Sequence, residues 1–154
     1  MPPVQAGPRS RDLRPEEDAV PPDLELSLPA RAENVAVVRH VLGGLADACN
    51  VPDQTLADIK LAVTEACTNV VVHAYPDGEG IMGVTASVGA DVVELVVFDD
   101  GRGIIPRTDS PGLGLGLPLI ATLAQSLELG AANGHGAEVR MAFRLGSDAE
   151  ETAA

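Results

Sequence analysis

At 154 residues the chain can bury one proper core, and its 45% hydrophobic and 21% charged residues are those of a globular protein. A formal net charge of −13 argues against direct nucleic-acid binding, which needs clustered Lys and Arg. No apolar run approaches the roughly 20 residues of a membrane helix, so no membrane association is expected. The single lysine, Lys60, lies mid-helix, which excludes both a Walker-type phosphate loop and the strand lysine of a eukaryotic-type kinase.

Residues 1–22 hold six of the twelve prolines and little apolar periodicity, and read as a disordered tail. The start has no charged region followed by an apolar one, so no secretory signal is expected. Leu24-Glu-Leu-Ser-Leu28 alternates as a strand does, and Pro29 ends it. Val35, Val38, Leu42, Leu45 and Cys49 then form one helical stripe, with Gly43-Gly44 as a weak point. Asn50-Val-Pro-Asp53 connects to a second helix and offers it a cap. That helix carries Leu56, Ile59, Val63, Ala66 and Val70 at three- and four-residue spacing. Cys49 and Cys67 both fall in helical patterns and read as small core residues of a reduced, cytoplasmic protein.

Tyr75-Pro-Asp-Gly-Glu-Gly80 is a turn cluster, followed by strands at about 81–88 and 92–98 joined by Gly89-Ala-Asp91. A glycine-rich segment follows, and its last glycine, Gly116, opens a helix through Pro118, Ile120 and Leu123. A hairpin from about Leu127 to Leu145 turns at Asn133-Gly134. Its second strand sets Val139, Met141, Phe143 and Leu145 inward against Glu138, Arg140 and Arg144. Residues 147–154 form a short acidic tail, leaving one domain at 23–146. The order β-α-α-β-β-α-β-β has too few helices to cover both faces of a sheet. It predicts an α+β two-layer sandwich, with a mainly antiparallel, mixed sheet and helices on one face.

Three segments carry chemistry. Glu65 and Asn69 are four residues apart and share one face of a helix that is otherwise built to be buried. Two polar groups aimed together from an apolar helix need a partner, and a divalent cation with a phosphate-bearing ligand would satisfy both. Asp99, in Val97-Phe-Asp-Asp-Gly101-Arg-Gly103, leaves an apolar strand into two alternate glycines. That is either an ordinary acidic turn or a carboxylate at a pocket rim with closely approaching backbone. Gly112-Leu113-Gly114-Leu115-Gly116 precedes a helix and is either a flexible loop or an anion site of free amides. Its spacing is not that of a dinucleotide fingerprint.

Taken together and in this order, the three segments resemble those of the GHKL, or Bergerat-fold, ATP-binding superfamily. The likeness is strongest to small bacterial anti-sigma factors with serine-protein kinase activity. Ala62-Val-Thr-Glu-Ala-Cys-Thr-Asn69 with His73-Ala-Tyr75 resembles their N box. Asp99-Asp-Gly-Arg-Gly103 resembles the first glycine box, and Gly114-Leu-Gly-Leu-Pro-Leu-Ile120 the second. The resemblance spans about residues 24–145.

It implies the Bergerat fold, with ATP and Mg²⁺ as cofactors. Asn69 would complete Mg²⁺ coordination, and Glu65 would be the catalytic base toward an attacking hydroxyl. Asp99 would accept from the adenine amino group, with Gly101 and Gly103 passing the base closely. Gly112, Leu113, Gly114, Leu115 and Gly116 would meet the phosphates through backbone. Residues 104–111 would form a short lid bearing Arg107, a phosphate contact. His73, one turn beyond Asn69, is either a further ligand contact or a packing residue. The implied partners are an anti-anti-sigma antagonist, phosphorylated on serine, and a sigma factor, sequestered in alternation, with the chain a homodimer. Two other readings stand beside this one: a non-catalytic, ATP-gated binding module, and a detached histidine-kinase-type catalytic domain.

Overall fold

The computed structural model describes residues 20–102, 113–131 and 135–146. Most of both proposed tails, the lid and the Asn133-Gly134 turn therefore lie outside the described residues. The elements run β1 (Leu24–Pro29), α1 (Ala32–Ala48), α2 (Asp53–Asn69), a π-helical turn (Val70–Ala74), β2 (Ile81–Val88), β3 (Val92–Asp99), α3 (Leu113–Leu123), β4 (Ser126–Gly130) and β5 (Ala137–Arg144). This is the order read from the sequence. The five strands form one sheet in the order β1-β2-β3-β5-β4, and every pairing is antiparallel.

Strand periodicity decides which side chains meet the helices. On β3, Val93, Leu95, Val97 and Asp99 point inward. On β2 the inward set is Met82, Val84 and Ala86, and on β5 it is Ala137, Val139, Met141 and Phe143; all are buried. Against them pack Val35, Val38 and Leu42 of α1, Ile59, Ala62, Val63 and Ala66 of α2, and Ile120 of α3. The core is aliphatic almost throughout, as the scarcity of aromatics requires. The outer face carries Glu94, Glu138 and Arg140, and Arg140 bridges the two carboxylates at 3.2 and 2.9 Å.

Several local expectations change. Gly43-Gly44 does not interrupt α1, which runs unbroken through both; the Lys60 side chain of α2 lies over Gly43, where a methyl would sit 3.4 Å from Nζ. Asn50 does not cap α2. It takes a left-handed φ of 59° just after α1, the conformation that closes many helices, while Pro52 precedes α2 without a side-chain cap bond. The helix at 113–123 starts one turn earlier than Gly116, so Pro118 lies inside it rather than in its first turn.

The two cysteines part company. Cys67 is buried, whereas Cys49, the last residue of its stripe, is exposed at the end of α1 rather than in the core. Burial pushes the Cys67 thiol up to about 12, so almost none of it is thiolate near neutrality. In the native protein at mildly alkaline pH, a thiol-specific disulfide reagent should titrate Cys49 alone. Cys67 should react only after denaturant is added, and two rapidly reacting thiols would contradict this packing.

Candidate functional site

The site assembles around the end of α2. Glu65 and Asn69 sit on the side of the helix that faces α3, and Asn69 is only 4% exposed. Gly116, in the N-terminal half of α3, packs directly on them. A methyl group at that position would meet Asn69 Nδ2 at 3.1 Å, Asn69 Oδ1 at 3.4 Å and Glu65 Oε2 at 3.5 Å. A glycine therefore keeps this space open between the two helices. The first turn of α3, Leu113 to Gly116, supplies backbone amides that have no intrahelical acceptor and mark the positive end of the helix. The expected anion-binding backbone thus meets the Glu65–Asn69 face, although it comes from inside the helix rather than from the loop before it.

After Asn69 the helix widens into the π turn Val70–Ala74. Such turns are uncommon and frequent at functional sites. His73 lies on this turn, and its carbonyl accepts from Arg102 Nε at 2.9 Å. Because the turn is wider than an α turn, His73 does not stack directly above Asn69.

Asp99 ends β3 on the inward parity, so its carboxylate enters the core layer instead of solvent. It is 2% exposed, and its cross-strand neighbours are Met82 and Ala137. Burial raises its pKa above the ordinary carboxylate value; the amides of Gly101 and Ala137 oppose the rise, and the neighbouring Asp100 charge adds to it. The Gly101 amide donates to Oδ1 at 2.9 Å. Gly136, with a φ of 73°, packs against the Asp99 carbonyl where no Cβ would fit, and His135 pairs with Asp100 at 3.0 Å.

Among the described residues, two buried side-chain atoms have no hydrogen-bond partner: Asn69 Nδ2 and Asp99 Oδ2. Each orphan of this kind costs about 1–3 kcal/mol. Their chemistry fits a nucleotide with a cation. The Asn69 carboxamide can offer oxygen to Mg²⁺ or an N–H to phosphate, and Asp99 Oδ2 is an acceptor for an amino group. Among the described residues, no group of three His, Cys, Asp or Glu side chains could hold a metal unaided. Any cation here would need oxygen from its ligand or from water, as Mg²⁺ usually has. Gly101 packs against the Ala74 carbonyl, joining the Asp99 corner to the end of the π turn. Gly103, Arg107 and Gly112 lie outside the described residues, and only the backbone of Leu113, Gly114 and Leu115 is described.

Residues 28–143 match the histidine kinase-like ATPase domain family. The chain belongs to that family. It is 38% identical to a serine-protein kinase RsbW of Halalkalibacterium halodurans over 71% of this chain and 76% of that protein. It is 29% identical to an anti-sigma F factor of Thermoanaerobacter sp. over 81% of this chain and 95% of that one. Among solved structures, the RsbU and RsbW domains of a Mycobacterium tuberculosis protein superpose with a TM-score of 0.65 at 25% identity. That match covers 82% of this chain and 32% of the other. The family is the one the three motifs resemble, and the chain is of its anti-sigma factor and serine-protein kinase type, an ATP-using kinase domain.

Sequence reasoning assigns no role to Arg102. Its backbone N–H and its Nε both donate to the end of the π turn, at 3.0 and 2.9 Å. The Arg-Gly pairing beside Asp99 was the available signal, but only the fold brings residues 73–75 and 100–102 together.

Asp99→Asn tests the cost of the buried carboxylate. A raised native pKa means that stability falls as pH climbs from the ordinary value of 3.8 through the native value, and stays at that lower level above it. Asparagine removes that loss. The nucleotide-free variant should therefore melt a few degrees above wild type at neutral pH, with the gain vanishing below the ordinary value, while its ATP affinity falls at least tenfold. A lower melting temperature at neutral pH together with unchanged ATP affinity would contradict the assignment.

Proposed function

We propose that the chain is a regulatory kinase that transfers the γ-phosphoryl group of ATP to a serine of an anti-anti-sigma antagonist, and sequesters a sigma factor in alternation. The observation that carries this reading is Glu65 standing beside Asn69 and Gly116, a half-buried carboxylate next to the first turn of α3. Its relatives' names, a serine-protein kinase and an anti-sigma factor, support both halves.

In this mechanism Asp99 accepts a hydrogen bond from the adenine amino group and selects ATP over GTP. Gly101 and Gly103 would let the chain pass the base closely, while Asn69, Gly112 and the amides opening α3 would hold the phosphates, with Arg107 a further phosphate contact and His73 a ligand contact beside them. Mg²⁺, held by Asn69 and phosphate oxygens, would neutralise charge on the triphosphate. Glu65 orients the serine hydroxyl and takes its proton as the oxygen attacks the γ-phosphorus. The bond to the bridging oxygen breaks and ADP leaves. Gly116 keeps the attacking hydroxyl's path free of side chain.

The non-catalytic reading has one observation in its favour: the segment 103–112 contains a single basic residue, Arg107, to stabilise transition-state charge. A cytoplasmic location fits, since no described helix is long and apolar enough to cross a membrane. A homodimer through the outer sheet face is also proposed. Its supporting feature is a shallow groove on that face, lined by Val20, the half-buried Phe98 and the buried Val96 beside the Glu94–Arg140 bridge. Sedimentation should give twice the chain mass, and a monomer at micromolar concentrations would refute it.

Glu65→Gln separates catalysis from binding. With ATP·Mg²⁺ and the cognate antagonist, serine phosphorylation should fall by 10²–10⁴-fold, the usual contribution of a general base, while ATP affinity changes less than threefold. Phosphorylation at the wild-type rate would leave the ATP-gated binding module as the better account.

A further inference from the structure

One residue of the N-box-like segment has no part in the mechanism above. Tyr75, just past the π turn, is tied at its hydroxyl to two other elements. The hydroxyl donates to the Ile81 carbonyl at the start of β2 at 2.6 Å and accepts from the Asp100 N–H beyond β3 at 2.8 Å. Its ring lies over Gly80, where a Cβ would run into it, and a Cβ on Gly101 would stand 3.0 Å from Cε1. The aromatic ring therefore requires a glycine at position 80, whereas at Gly101 the Ala74 carbonyl is the nearer obstacle.

Arg102 closes the other side. Its N–H donates to the Ala74 carbonyl at 3.0 Å and its Nε to the His73 carbonyl at 2.9 Å. These are the last carbonyls of the π turn, which have no partner further along the helix, and a guanidinium suits that negative end. Gly101, between the two tethers, meets the Ala74 carbonyl directly, and its own amide holds Asp99 Oδ1. The connected set is Asp99–Gly101–Ala74 with Tyr75 and Arg102 as its clasps.

We propose that Tyr75 and Arg102 are positioning residues for nucleotide recognition: they lock the corner after β3 onto the end of the π turn, and so fix the Asp99 carboxylate relative to Asn69. The proposal rests on the reading of Asp99 as the adenine contact. Asp99 and Asn69 come from different elements, and no described hydrogen bond joins their side chains directly. Without the clasp, a nucleotide would have to bring the two together itself and lose affinity in doing so. A hydrogen-bonding site aimed at an amino group loses selectivity when its acceptor is no longer held in place.

The test uses the full chain and calorimetric titration with ATP·Mg²⁺ and with GTP·Mg²⁺, alongside nucleotide-free melting curves. Tyr75→Phe keeps the ring and removes only the hydroxyl, and Arg102→Met keeps an exposed stem and removes the donors of the side chain. Each should weaken ATP binding about five- to tenfold and narrow the preference for ATP over GTP, with little change in melting temperature. Should Tyr75→Phe fail to fold, Arg102→Met carries the same comparison. Unchanged ATP affinity and unchanged ATP-to-GTP preference in the variants, whatever their melting temperatures, would overturn the positioning role. Asp99→Asn, run in parallel, tells the two failures apart. If it weakens ATP binding and the clasp variants do not, the clasp alone is wrong. If Asp99→Asn leaves ATP binding unchanged, the adenine assignment falls and the positioning role falls with it.

Discussion

Asn69 and Asp99 place two polar side chains inside an otherwise aliphatic helix–sheet interface, and each leaves one buried atom without a partner among the described residues. A small domain with a modest stability margin does not carry such a cost without compensation. A ligand that binds only the folded state returns it by mass action. The rest of the site follows from this constraint. Gly116 holds open the space against Asn69, Gly136 lets β5 close on the Asp99 carbonyl, and the π turn carries the chain from one orphan toward the other.

The fold serves the site by parity and register. Asp99 is buried because it falls on the inward parity of β3 after Val93, Leu95 and Val97. Glu65 and Asn69 line the side of α2 that meets α3, next to the stripe of Ile59, Val63, Ala66 and Val70 that packs into the core. The same geometry divides the labour. Asn69 and Asp99 are buried and serve binding, whereas Glu65 is more accessible, as a base that must meet a hydroxyl from another protein has to be.

Much of this was legible in the sequence because the periods are clean. The alternation in β1 and β5, and the aliphatic stripe of α2, leave little choice of element or face. The Glu65–Asn69 pair stood out for the same reason, as polar residues on an apolar pattern. What the sequence concealed depends on contacts between distant segments. Cys49 fits the stripe of α1 but lies beyond the sheet that the stripe covers. Gly43 sits inside an unbroken helix, with Lys60 of another helix lying across it. Pro118 gave a sound local signal for a first turn, yet packing of α3 on α2 draws the helix start back to Leu113. The π turn has no sequence period of its own, and the roles of Tyr75 and Arg102 exist only once residues 73–75 meet residues 100–102.

The central claim is that the two orphaned side chains are the two ends of one nucleotide site. A crystal structure of the full chain with Mg²⁺ and a non-hydrolysable ATP analogue tests it most directly. The account predicts the adenine amino group within hydrogen-bonding distance of Asp99 Oδ2, the Asn69 carboxamide on the metal or a phosphate, and the triphosphate at the first turn of α3. A nucleotide bound elsewhere, with Asn69 Nδ2 and Asp99 Oδ2 still unpartnered, would contradict it.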